Sequence, residues 1–437
     1  MTASSLARDS VFNTLSFLVR GVGVVVAMAW IARSLGPENQ GRFGFVHWIG
    51  AMLAQASVWG LGVTSTRFVA ASLGDRDPHA AAQTVRLTTR WLLITLLLVG
   101  GAAGGSAWIF GGELRVPLLA AVPMMLTISL YQWRLGVAWG LRRFDIALVG
   151  YLVFFTALFS LLPLALHRSD PIPAVLLAFA AARGLHVAVV WVWTHRALHQ
   201  LVAESTSSPE RTQRFHELAP LMLRYARQMF VVALFGALLW ERTSLPFLKI
   251  TADFEQIGFY TAAFGVSVLF LRVPGVLAQV LLPVVAELEG AGASPEVLGA
   301  MFRRAARLLS LVIIPPVVLL WISAPWVIDL MFGAEYQEST GLLRILLIPL
   351  LFAGPGAAGA KTLIGAGQQA RLLKIVAATA SLKLLLCGLL IPSFGATGAA
   401  VAVAVSWSLA MVAEGITASA CFPRALPSGK PTNRGTD

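Results

Sequence analysis

Leu308-Leu309-Ser310-Leu311-Val312-Ile313-Ile314-Pro315-Pro316-Val317-Val318-Leu319-Leu320-Trp321-Ile322 carries one hydroxyl and no charge. A transmembrane β-strand alternates apolar and polar residues over roughly ten positions, and this run does not alternate. Read as helix within 304–324, it reaches the roughly 20 residues that cross a hydrocarbon layer about 30 Å thick. Its two prolines are no obstacle, because neighbouring helices in a membrane re-satisfy the freed backbone groups. Phe230–Trp240 has the same unbroken apolar character.

The rest of the chain repeats this pattern. Hydrophobic residues make up 57% of 437 positions and charged residues 12%, against roughly 25% charged in soluble domains. The mean hydropathy is +0.77, and there are 13 Trp. These values predict an all-α polytopic membrane protein with about twelve transmembrane helices, near 11–32, 43–66, 87–110, 116–138, 146–166, 172–195, 220–249, 257–286, 304–324, 341–364, 372–391 and 395–420. The first apolar stretch, Val11–Ile31, is too interrupted and glycine-rich for a signal peptide. No Ala-x-Ala-like cleavage site follows it, so it reads as a retained helix.

The longest polar interruption is His195–Glu217, with Ser205-Thr206-Ser207-Ser208-Pro209 at its centre. It predicts two lobes of six helices: 1–196, a cytoplasmic linker over 197–218, a second lobe over 219–421 and a cytoplasmic tail over 422–437. The halves resemble each other. Gly41-Arg42-Phe43 opens the second span and Gly258-Phe259-Tyr260 the eighth, each after a polar turn. The later loops contain Pro78 and Pro295, followed by basic entries at Arg86 and Arg90, and at Arg303, Arg304 and Arg307. Six spans per repeat give parallel halves related by an axis along the membrane normal, an arrangement expected to enclose a central cavity.

Charge sets the expected orientation. With the N-terminus inside, the cytoplasm receives Arg8, Arg67, Arg76, Arg86, Arg142, Arg143, Arg196, Arg211, Arg214, Arg303, Arg304, Arg307, Arg371, Lys374, Arg424, Lys430 and Arg434. The outer loops carry Arg42, Arg115 and Arg168, with Asp253, Glu255, Asp329, Glu335 and Glu338. This asymmetry follows the positive-inside rule and puts both termini in the cytoplasm. It accounts for much of the net charge of +12 without nucleic acid, and makes anionic membrane lipids the expected partners of the basic loops.

No catalytic constellation or cofactor motif is visible, so no enzyme activity is expected. The seven histidines lack metal-binding spacing such as His-Glu-x-x-His. Gly60-Leu61-Gly62 does not complete a dinucleotide fingerprint and suits helix packing instead. Cys387 and Cys421 exclude a disulfide framework.

The informative residues are cations inside or beside spans: Arg20, Arg242, Arg272, Arg344 and Lys383. Each costs about 2.5 kcal/mol or more at a helix centre unless it snorkels or faces a protected cavity. Few acids accompany them; Glu241 neighbours Arg242, and Glu414 lies late in the last span. Such cations suit phosphate oxygens, which match the planar fork of arginine. Arg20 and Arg272 lie deepest within their spans. Arg242 has Glu241 and Lys249 nearby for a local network, while Arg344 and Lys383 are within snorkelling reach of an interface. Arg224 is placed at a cavity mouth or as a headgroup anchor.

Four stretches carry a family resemblance: Arg33-Ser34-Leu35-Gly36-Pro37-Glu38-Asn39-Gln40-Gly41-Arg42-Phe43; Gly60-Leu61-Gly62-Val63-Thr64-Ser65-Thr66-Arg67-Phe68; Trp240-Glu241-Arg242-Thr243 with Gly258-Phe259-Tyr260-Thr261-Ala262-Ala263; and Leu330-Met331-Phe332-Gly333-Ala334-Glu335-Tyr336. In order and spacing over 8–420 they resemble the polysaccharide exporters, the O-antigen and exopolysaccharide flippases of the multidrug/oligosaccharidyl-lipid/polysaccharide (MOP) flippase superfamily. The resemblance implies a carrier that moves undecaprenyl-pyrophosphate-linked oligosaccharide across the bacterial inner membrane by alternating access. The related peptidoglycan lipid flippase keeps cavity arginines in its first and eighth helices, and the resemblance implies the same place for Arg20 and Arg272, which lie in the corresponding spans here. A polysaccharide polymerase and glycosyltransferases become candidate partners. Leu245 and Pro246 replace the acid that often follows the Arg-Ser/Thr pair in such seventh helices, which puts any carboxylate-dependent step there in doubt. Two alternatives stay open: a cation-coupled multidrug antiporter of the same fold, and a non-transporting scaffold of a glycan-synthesis complex.

Overall fold

The computed structural model describes residues 3–75, 77–203, 209–290 and 292–422. The expected tail beyond 422, residues 204–208 of the linker, and Arg76, Arg424, Lys430 and Arg434 lie outside the described residues. Among the described residues, fourteen α-helices follow in order: α1 (Ala3–Val58), α2 (Leu61–Gly74), α3 (Pro78–Phe110), α4 (Arg115–Gly140), α5 (Phe144–Leu166), α6 (Pro171–Ala203), α7 (Pro209–Trp240), α8 (Leu245–Thr251), α9 (Phe254–Leu277), α10 (Leu281–Gly290), α11 (Pro295–Phe332), α12 (Ser339–Leu347), α13 (Ala353–Gly365) and α14 (Gln369–Cys421).

Among the described residues, ten segments are long and apolar enough to cross a membrane. Two of them are each a pair of helices joined at a glycine. In α1 the break is Gly36, with φ 72°, followed at once by Pro37; in α14 it is Gly395, with φ 53°. Positive φ costs glycine little, and proline cannot extend the first leg but can start the second. Dividing both segments yields twelve crossings, in register with the twelve spans read from hydropathy.

Two boundaries move. The seventh span stops at Trp240 rather than 249, because Glu241, Arg242 and Thr243 form a turn before α8. The eighth ends at Leu277, where a three-residue 3₁₀ turn, Ala278–Val280, leads into α10. Hydropathy stays high through the second break, and the first is marked only by the four polar residues Glu241–Ser244 between apolar runs.

The packing separates into two compact units. Unit 1 comprises Met1–Leu234 and Asp253–Thr261; unit 2 comprises Phe235–Ala252 and Ala262–Asp437. In unit 1, α4 is the hub, packing on α1, α2, α3 and α6. One core cluster joins α1, α4, α5 and α6 around Ile31, Phe43, Met124, Phe154 and Leu158. A second gathers Leu61, Leu92, Met125 and Trp133. The α2–α4 crossing is close because a Cβ on Gly136 would fall 2.2 Å from the Gly62 carbonyl oxygen. Thr66 Oγ1 donates to the Gly136 carbonyl there, at 2.8 Å. The glycines of Gly60-Leu61-Gly62 thus serve a turn and a helix contact.

In unit 2, α13 packs on α14 and α11. Pro355, Gly356 and Gly359 of α13 lie against Met411, Glu414 and Gly415 of α14. Trp407 of α14 is fully buried and donates from Nε1 to the Leu239 carbonyl at 2.8 Å. Tyr336, in the turn before α12, is 1% exposed; burial, and then the neighbouring Glu335 charge, push its hydroxyl pKa up.

Candidate functional site

In unit 1, Arg20 of α1 lies within electrostatic range of Arg183 of α6. The two guanidinium charges act on each other, and both act on the Tyr131 hydroxyl of α4. Arg183 lies over two rings, 3.7 Å from the centroid of Phe154 and 4.7 Å from that of Tyr131. Its Nη1 is 3.2 Å from Nδ1 of His186. Tyr131 and Tyr151 of α5 join through their hydroxyls. The buried His186 ring packs 4.4 Å from Tyr131 and 5.2 Å from Tyr151.

Helical spacing explains this assembly. Arg183 and His186 are three residues apart, on one face of α6. Gly150 leaves room for the imidazole, since a Cβ there would stand 2.2 Å from His186 Nε2. No described partner of Arg183 is a carboxylate. Aromatic faces stabilise such a cation by about 0.5–2 kcal/mol without neutralising it. Arg183 is half-buried and Arg20 exposed, so the pair has a shielded member and an accessible one.

In unit 2, Arg242 stands in the turn after α7, 5.3 Å from the Phe264 ring of α9. Gly265 is next to it, with room for a Cβ 3.6 Å from the Arg242 Nη2. Arg272 follows Gly265 by seven residues, two helical turns, so it lies on the same face of α9 about 10.5 Å further on; it is exposed.

Lys383 has a different setting. It is fully buried, and its Nζ donates to the carbonyls of Leu239 and Glu241 at 2.9 and 2.7 Å. These are carbonyls left open where α7 ends. In this arrangement the ammonium is a clamp on the helix end, not a free headgroup ligand. Arg344 lies against α11, with Nε 3.2 Å from the Trp321 carbonyl and its guanidinium 5.0 Å from that ring. Arg224 is exposed on α7.

Arg183 and Arg134 are not among the residues picked from the sequence. The signal was there: each is a lone cation inside a long apolar helix, as Arg20 is.

Residues 6–289 match a sequence family described as polysaccharide biosynthesis protein. The chain belongs to that family. Solved structures place this family member among MOP transporters in fold. It is similar to a multidrug resistance MATE family transporter of the MOP superfamily in an inward-facing conformation, with TM-score 0.71 and 14% identity over 94% of each chain. It is also similar to the lipid II flippase MurJ in an inward closed conformation, with TM-score 0.63 and 12% identity over 93% of this chain and 87% of that one. A third likeness is to a MOP superfamily transporter from Pyrococcus furiosus, with TM-score 0.57 and 14% identity over 96% and 95%. No curated protein matches the sequence. The chain is thus a multi-pass membrane protein of the polysaccharide biosynthesis family with the fold of MOP transporters, and the solved structures it resembles are named as transporters and a flippase.

Proposed function

We propose that this chain is a flippase for undecaprenyl-pyrophosphate-linked oligosaccharide repeat units, acting by alternating access in a bacterial inner membrane with both termini cytoplasmic. The observation that carries this reading is a pair of cations within electrostatic range of each other inside two apolar spans, Arg20 and an Arg183 seated on aromatic rings with no carboxylate partner described. Like charges held together in lipid-embedded helices are costly, and a diphosphate bound between them offsets that cost through charge-assisted hydrogen bonds. Family membership supplies the glycan side of the reading. Arg272 of α9 and Arg242, which lies beside Gly265 on the same face of α9, are the corresponding candidates in unit 2. A polysaccharide polymerase and glycosyltransferases are its proposed functional partners.

The test is reconstitution of the full chain into vesicles carrying a polyprenyl-diphosphate oligosaccharide, with leaflet exposure read by a membrane-impermeant lectin. Wild-type protein should expose the sugar, and Arg20→Ala and Arg183→Ala should slow exposure. Unchanged exposure in the Arg20→Ala, Arg183→Ala double variant would sink the binding role. Wild type that flips no such lipid would sink the flippase reading.

One observation favours the antiporter as a second reading. Glu414 of α14 is 5% exposed and interacts electrostatically with Lys361 of α13. A buried carboxylate in a span is a candidate coupling-ion ligand. Cation-driven efflux of a cationic dye that is lost in Glu414→Gln would support that reading.

A further inference from the structure

Unit 1 contains a pocket that is independent of the flippase reading. It is a cavity of about 260 Å³ where the start of α3 and the end of α6 meet α4. Its floor is Arg134, 2% exposed. That guanidinium sits 4.4 Å from the Trp191 ring and 5.4 Å from the Trp133 ring, and its Nη2 donates to the Trp191 carbonyl at 3.3 Å. Its Nε is buried with no hydrogen-bond partner among the described residues. Nε2 of His79, also in the lining, is buried without a partner in the same sense.

The rim adds positive potential. Arg86 follows His79 by seven residues on α3, and His195 and His199 are four apart on α6, so each pair shares a helix face. The two α6 rings lie 5.0 Å apart. No acid is among the lining residues. Two guanidiniums repel a metal cation but match the oxygens of a phosphate group, which accept the forked donors. The volume falls below the roughly 300–1,000 Å³ of pockets for drug-sized ligands, which suits a compact anion.

We propose that this pocket is a phosphate-binding site, seated on Arg134 and closed by Arg86 and His79, and distinct from the Arg20–Arg183 pair. His195 lies twelve residues beyond Arg183 on α6, about 18 Å along the helix. The phosphate comes from one of two sources, the headgroup of an anionic phospholipid or free phosphate in solution. Both present the same oxygens to Arg134.

The experiment uses the full chain in detergent and in nanodiscs. Inorganic phosphate is titrated at constant ionic strength with thermal unfolding as the readout. Retention of phosphatidylglycerol against phosphatidylcholine is read by native mass spectrometry. Arg86→Gln, at an exposed position, should weaken binding about tenfold, close to the loss of one charge-assisted contact. Arg134→Gln should do the same or more, and Arg90→Gln, on the same helix but outside the lining, should leave binding unchanged. A loss confined to the phosphate titration assigns the ion. A loss confined to phosphatidylglycerol retention assigns the lipid headgroup. The proposal is overturned if neither probe binds wild type, if Arg86→Gln binds as well as wild type, or if Arg90→Gln weakens binding as much.

Discussion

Gly41 and Gly258 each press against the other's helix. A Cβ on Gly41 would fall 1.8 Å from the Phe254 carbonyl oxygen, and one on Gly258 would fall 2.0 Å from that of Pro37. The register that aligns Gly41 with Gly258 in the internal repeat also aligns Pro37 with Phe254. Each glycine therefore meets the counterpart of the residue that meets its partner, the mark of a local two-fold relation. Gly44 lies on Thr261, its own counterpart in that register. Arg42 reinforces the crossing, paired with Glu38 at 2.8 Å and lying 5.3 Å from the Phe254 ring.

Alanine at either glycine forces the two backbones apart. Gly41→Ala and Gly258→Ala should each destabilise the protein by about 1–3 kcal/mol, the usual cost of overpacking. Gly105→Ala is the control, since nothing lies within 4 Å of its Cβ position, and it should gain up to about 1 kcal/mol from helix propensity. Thermal unfolding in detergent compares the three. Equal midpoints for Gly41→Ala and Gly105→Ala would show that the crossing is looser than described.

Arg20 and Arg183 act on shared neighbours, so their effects should not add. Each Ala variant should slow exposure of the diphosphate lipid by about ten- to a hundred-fold, in keeping with roughly 1.5–3 kcal/mol for a hydrogen bond to a charged group. The double variant should lose less than the product of the two. Strict additivity would mean that the two cations serve separate steps.

Lys383 should affect stability and not substrate affinity. Lys383→Met keeps the stem but strips the Glu241 carbonyl of its ammonium donor, while Trp407 Nε1 still holds Leu239. The Glu241 carbonyl keeps the Thr243 N–H, so the loss is that of the two ammonium hydrogen bonds, roughly 1.5–3 kcal/mol for a hydrogen bond to a charged group, and the unfolding midpoint should drop. Half-saturating substrate in the vesicle assay should stay where it is. A rise in that concentration with an unchanged midpoint would return Lys383 to the binding site.

Gly150 tests the aromatic seat of Arg183. Gly150→Ala drives a methyl into His186 and should tilt the ring off Tyr131 and Tyr151, releasing Arg183. Export should fall with total charge unchanged, and proteolysis in native membranes should show the chain still folded. Export at the wild-type rate would leave the ring cluster a packing device only.

Much of the fold was legible because membrane helices announce themselves through length and hydropathy. The twelve spans and the Gly36-Pro37 turn region could be read from residue order. The end of α9 could not, because Ala278–Val280 differs from helix in backbone hydrogen bonding more than in polarity, and hydropathy passes over the end of α7 although Glu241–Ser244 is a polar break between apolar runs. For the site, the cation-in-span criterion picks Arg20 and Arg272 as candidates and passes over Arg183, which the electrostatics link to Arg20. It ranked Lys383 beside Arg344 although one caps a buried helix end and the other lies on Trp321. One-dimensional spacing carries no information on which carbonyl a long side chain will reach.

By itself the amino-acid order determined that this chain lives in a bilayer, crosses it as helices and keeps a few cations where they are expensive. Those properties follow from transfer free energies, which add along the chain whatever the fold. The tertiary structure alone decided which cations meet. Arg183 lies on the rings of Phe154 and Tyr131 within electrostatic range of Arg20, Arg134 lies at the bottom of a basic pocket, and Lys383 is tied to the end of α7. Helix rotation and crossing place them, and these depend on packing between segments far apart in sequence.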